Sequence, residues 1–137
     1  MEDNNYNYWI EMAEYDYQTA IVMLESKRYL YVGFMLHQTI EKVFKAYHVF
    51  LKSEIPPYTH SLLKLSLEGD FYDEIPEELR KTMDILEPLN IEARYLSHKE
   101  KLMKELNEKF CTKLVKDTEV LYKWAIERLP KEKSEDL

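Results

Sequence analysis

Glycine is nearly absent from this chain of 137 residues, which holds two. A phosphate cradle built from backbone N–H groups needs residues without Cβ, so that route to a nucleotide is closed. Any phosphate or nucleotide site must use side chains and helix N-termini. A single cysteine, Cys111, excludes an intramolecular disulfide and makes the cytoplasm the expected compartment. No basic constellation surrounds Cys111 in the sequence, which argues against a nucleophilic role. Excess positive charge is also lacking: the formal net charge is -7. That speaks against a broad nucleic-acid surface and leaves room only for a local basic pocket. No apolar run approaches the roughly 20 residues that span a bilayer, and the start MEDNNYNYW has no signal-peptide pattern. HExxH and GxSxG are missing, and the four histidines have no spacing for a closed metal site. No cofactor and no metal are therefore expected.

What is present is helical periodicity. Nothing alternates with a period of two for long enough to form a strand. Trp9, Met12, Ala13, Ala20, Met23 and Leu24 define one face of a helix from about Tyr6 to Ser26. Val32, Leu36, Ile40, Val43, Phe44, Tyr47 and Leu51 do the same between Tyr29 and Leu51. The short turn Lys27-Arg28-Tyr29 implies that these two helices pack antiparallel. Pro56-Pro57 ends the second. Thr59 is the expected cap of a short helix through Leu67, which Gly69-Asp70 breaks. Pro76 opens another as its first helical residue, with Glu77 and Glu78 in the first turn, and Pro88 ends or kinks it. Ser97 and Glu100 have the spacing of a capping box, opening a last long helix to about Leu129. Its core face comprises Met103, Leu106, Phe110, Leu114, Leu121, Trp124 and Ala125. The expectation is an all-α fold: an antiparallel up-and-down bundle of four main helices with an additional short helix. Residues 1–130 form one domain and 131–137 a flexible charged tail.

Polar residues on these helices carry the functional question. Gln38, Glu41 and Lys45 recur at three- and four-residue steps beside the apolar stripe. One reading is a solvated face with a Glu41–Lys45 pair stabilising the helix by about 0.2–0.5 kcal/mol. The other is a polar groove or subunit seam in which Gln38 hydrogen-bonds and Lys45 meets an anion. Asp16 falls mid-stripe on the first helix, where a lone carboxylate is costly, so His37 or Lys45 is its expected partner. His48 is expected at the surface, and His60 in a first helical turn bonded to the preceding loop. Eleven tyrosines invite a base-stacking reading, but Tyr15, Tyr17, Tyr29 and Tyr31 fall near core or interface faces. Arg94 and His98 could act together on an RNA phosphodiester, the arginine stabilising charge and the histidine moving a proton. The simpler reading makes Arg94 a loop anchor and His98 a first-turn residue.

Five segments follow in order along the chain: Trp9 to Ala20, Tyr29 to Phe34, His37-Gln38 through Lys45-Ala46, Thr59-His60-Ser61-Leu62, and Ala93-Arg94-Tyr95. Together they resemble the HEPN family. The resemblance covers Trp9 to about Leu129. It implies a helical bundle that is commonly a homodimer, often beside a nucleotidyltransferase protein and sometimes in a toxin–antitoxin-like setting. Ribonuclease members use an arginine and, several residues on, a histidine at the dimer seam. Here three residues separate Arg94 from His98, and Tyr95 stands where the family carries asparagine. The resemblance therefore implies a non-catalytic module that binds a nucleotide or a nucleotidyltransferase partner through Gln38, Glu41, Lys45 and Arg94. Neither a membrane nor DNA is an expected partner. A metal-independent ribonuclease acting on RNA through Arg94 and His98 is the alternative.

Overall fold

The computed structural model describes residues 6–90 and 96–130, without the side chains of residues 96–99 and 102. Among the described residues six helices follow in order: α1 (Tyr6–Glu25), α2 (Tyr29–Lys52), α3 (Leu62–Glu68), α4 (Glu77–Leu86), α5 (Leu96–Glu105) and α6 (Glu108–Glu127). Short 3-10 turns at Tyr72–Glu74 and Glu87–Leu89 flank α4. There is no strand among the described residues. The all-α class and the first antiparallel helix pair are as the periodicity requires.

Helix α2 is the centre of the bundle and packs against every other helix. Its expected stripe is buried from Val32 to Tyr47, while Leu51 is exposed. The rings of Phe44 and Phe71 meet edge to face at 5.1 Å, and Tyr47 packs on Phe71 at 4.6 Å. Gly33 lets α2 approach closely: a Cβ there would lie 3.0 Å from Leu89 Cδ1.

Scarce glycine leaves its mark at helix ends. Helix α1 closes with Arg28 N–H on Met23 O and Lys27 N–H on Leu24 O, and α3 closes with Phe71 N–H on Ser66 O and Asp70 N–H on Leu67 O. Both are Schellman motifs, whose left-handed residue is usually glycine. Here Lys27 and Asp70 take it, each with φ of 63°. Gly69 itself stays right-handed, so Asp70 is the residue that breaks α3. Left-handed backbone costs a residue with Cβ roughly 1–2 kcal/mol, partly offset by the greater freedom of glycine in the unfolded chain. Lys27→Gly should therefore stabilise the protein by about 0.5–1 kcal/mol in denaturant melts; an unchanged or lowered midpoint would contradict that reading of the turn.

Three helix starts differ from expectation. Ser61 caps α3, accepting from Lys64 N–H, while Thr59, two residues earlier, accepts from Ser61 N–H through Oγ1. Pro76 is the residue before α4, not the first within it. Leu96 is already helical, so Ser97 lies inside α5 and cannot be its N-cap. The last long helix is two helices. Asn107 Oδ1 accepts from Phe110 N–H at 2.8 Å and starts α6 afresh. This break takes Met103 and Phe110 off the core and leaves both exposed, whereas Leu106, Leu114, Leu121, Trp124 and Ala125 stay buried.

Candidate functional site

Glu41 and Lys45 of the polar row on α2 are buried and Gln38 is half-buried, so the row is not a solvated face. Glu41 is 2% exposed and Lys45 is 6% exposed. Taking a carboxylate out of water costs several kcal/mol unless donors replace that water. Four groups from the described residues approach it. Lys45 Nζ donates to Oε2 at 3.0 Å. His60 Nδ1 lies 3.1 Å from Oε1 and 3.2 Å from Oε2. Gln38 Nε2 donates to Oε1 at 3.4 Å, and His37 Nδ1 stands 3.7 Å from the same oxygen. Lys45 also lies over the ring of Trp9, 5.3 Å from its centre, so α1 closes the site from one side.

Gln38 links this centre to a second ion pair. Its Nε2 donates to Asn90 Oδ1 at 2.8 Å, and its Oε1 accepts from Lys42 Nζ at 3.2 Å. Lys42 Nζ reaches Asp16 Oδ2 at 2.6 Å. Asp16 is therefore partnered across the first helix pair, but by Lys42. His37 and Lys45, the expected partners, both turn to Glu41. The helix explains this. His37, Glu41 and Lys45 are spaced four apart, as are Gln38 and Lys42, which makes two parallel ladders one residue out of step. Asp16 faces the second ladder.

Glu87 fixes the approach of His60. Its carboxylate accepts from Ser61 Oγ and Leu62 N–H, both at 2.8 Å. A side chain from the end of α4 thus caps α3 and holds the loop that carries His60. The expected bond from His60 to its own loop is replaced by the contact with Glu41. His48 also departs from expectation: it is buried, with Nε2 3.5 Å from Glu54 Oε2. Asp117 pairs with Lys113 at 2.6 Å on the outer face of α6 and takes no part in the network. Cys111 is buried, and burial pushes its thiol up to about 11, so it is a packing residue. Among the described residues no cluster of metal-ligating side chains forms.

A model of the HEPN domain matches residues 6–129. The chain belongs to the HEPN domain family. The crystal structure of TT1696 from Thermus thermophilus has the same fold, with a TM-score of 0.79 at 19% identity. The match covers 92% of this chain and 99% of that one. At that identity the likeness speaks to the fold alone. No curated protein matches the chain. Among the described residues no helix is long and apolar enough to cross a membrane.

Of the four binding residues expected from the sequence, this HEPN chain brings Gln38, Glu41 and Lys45 together. Arg94 lies outside the described residues, as does the His98 side chain. Asn90, the last described residue before that segment, reaches the network directly. Sequence reasoning missed Lys42, His60 and Asn90 as members. The four-residue step from Gln38 pointed to Lys42. Nothing local pointed to Asn90, which lies 52 residues from Gln38.

His37 gives the site a pH dependence. Burial pushes its pKa down to about 4 against the pull of Glu41, so the folded protein holds it neutral. The unfolded imidazole titrates near 6.5. Stability is complete above that value and falls as pH drops toward 4, because the unfolded chain takes the proton first. The loss from this one group is about 3 kcal/mol. Replacing His37 with leucine should make the fall in stability between pH 7 and pH 4.5 smaller by about 2–3 kcal/mol. Parallel curves for the two proteins would show that His37 does not carry the effect.

Proposed function

We propose that this HEPN domain is a non-catalytic module that binds a nucleotide-like anion or docks a nucleotidyltransferase partner. The contacts are Gln38, Glu41, Lys45 and Arg94. The observation that carries this reading is the buried Glu41 carboxylate, held by Lys45 and His60 and joined through Gln38 to Asn90 and Lys42. A network of this extent fixes donors and acceptors in place, which is the condition for selective recognition. Within it the charges of Asp16 and Glu41 offset those of Lys42 and Lys45. The network therefore favours reading of polar edges over bulk anion attraction. Arg94 supplies the bidentate fork for an anion, Lys45 acts as a point charge held in place by Glu41, and Gln38 reads a polar edge. Glu41 positions Lys45.

The partner arrangement belongs to the same reading. A homodimer is supported by Tyr8, Tyr15 and Val22, which are exposed at seven-residue steps along α1. Aromatic residues on one helix face suit an interface core. The partner nucleotidyltransferase and the toxin–antitoxin-like setting follow from the family resemblance. Sedimentation should give a dimer at micromolar concentration; a monomer throughout that range would remove the dimer from the account.

Nucleotide calorimetry combined with RNA cleavage assays tests the function. Wild type should bind and should not cleave, and Lys45→Ala and Arg94→Ala should weaken binding. Robust cleavage abolished by both Arg94→Ala and His98→Ala would replace this reading with the ribonuclease. No binding of nucleotide or partner, together with no cleavage, would reduce the network to a structural device.

A further inference from the structure

The loop between α2 and α3 contains Ile55-Pro56-Pro57-Tyr58, and the Tyr58 side chain is 98% exposed. A single exposed tyrosine is ordinary and decides nothing. Its mounting is the informative feature. Pro56 is buried, Thr59 N–H bonds Pro57 O at 3.0 Å, and Ser61 N–H bonds Thr59 Oγ1 at 3.1 Å. Glu87 clamps Ser61 and Leu62 just beyond. Tyr58 is thus carried on a pinned backbone with its ring in solvent. The next ring is His60, 6.3 Å away and tilted by 56°.

His60 is oriented by its own contact. Both oxygens of Glu41 face Nδ1, and a carboxylate can only accept, so Nδ1 carries the hydrogen. The other nitrogen, Nε2, points away from Glu41 and accepts no bond from a described residue. One fixed loop therefore offers an open aromatic face and, beside it, an unused hydrogen-bonding edge. A nucleobase has the matching features, a flat π surface and donors on its rim.

We infer that Tyr58 is the stacking platform for the base of a nucleotide, with His60 Nε2 accepting from the rim of that base. The inference rests on the nucleotide reading above and names two contacts beyond it. Rigidity is what makes the ring effective, because ordering a loop at the moment of binding would consume most of what stacking supplies.

The test is calorimetry with ATP and, separately, inorganic tripolyphosphate, on wild type, Tyr58→Ala, Tyr58→Phe and Tyr58→Trp. Tyr58→Ala should weaken ATP binding about 5- to 50-fold and leave tripolyphosphate binding within about twofold. Tyr58→Phe should bind ATP like wild type. In Tyr58→Trp the added indole fluorescence should be quenched by ATP and not by tripolyphosphate. Thermal melts of all four proteins should coincide, since the ring touches solvent. Unchanged ATP affinity in Tyr58→Ala overturns the stacking inference and leaves the anion site standing. Equal losses for both ligands also overturn it, placing the effect in the loop. If wild type binds neither ligand, the stacking and the nucleotide reading fall together.

Discussion

Replacing Glu41 with glutamine should destabilise the protein by about 3–5 kcal/mol, the usual consequence of breaking a buried ion pair from one side. The amide fills the same space but carries no charge. Lys45 is then left as a buried ammonium whose nearest compensation is the face of Trp9. Two further donors, from His60 and Gln38, also lose their charged acceptor. Removing the second charge should recover most of the loss. The double variant Glu41→Gln, Lys45→Met should be more stable than Glu41→Gln alone, since well-packed apolar replacement of a buried pair is often neutral. Denaturant melts of wild type, both single variants and the double variant form a complete cycle. Additive losses, with no recovery in the double variant, would show that the two charges do not depend on each other.

Truncating the α2 stripe should be as damaging. Leu36 and Ile40 are fully buried and lie one turn apart on the helix that every other helix touches. Leu36→Ala and Ile40→Ala should each cost about 2–5 kcal/mol, the lost transfer energy plus the cavity left behind. Val120 provides the control. It sits on α6 at 56% exposure, and its truncation should change stability by less than about 0.5 kcal/mol. Melts of Leu36→Ala and Ile40→Ala near that of Val120→Ala would remove both residues from the core.

The difference between the two kinds of residue explains what the sequence disclosed. Leu36 and Ile40 were readable because burial on a helix follows a 3.6-residue period, and their neighbours in space are their neighbours at three and four steps. The Glu41–Lys45 contact was readable for the same reason, although its burial was not, because α1 and the loop before α3 cover it from outside the helix. The ladder of His37, Glu41 and Lys45 was equally local, and it explains why Asp16 finds Lys42 and not the partners expected for it. Asn107 was hidden by the opposite effect. Met103, Leu106, Phe110 and Leu114 keep helical spacing straight through the break, so periodicity continues where the helix does not. His60, Asn90 and Glu87 come from other segments, and their approach to α2 depends on how the whole bundle closes. No window of sequence contains that information. The family signature reached further: the segment Thr59 to Leu62 and the segment from His37 to Ala46 matched separately, and in the fold they meet at Glu41.

Nuclear magnetic resonance of nitrogen-labelled wild-type protein during a nucleotide titration tests the central claim most directly. The side-chain amides of Gln38 and Asn90 and the ring of His60 are native reporters inside the network, and no substitution disturbs it. Their signals should move first and furthest, saturating together with the heat measured by calorimetry. Binding that leaves these three groups unmoved and shifts resonances elsewhere on the bundle would contradict the account.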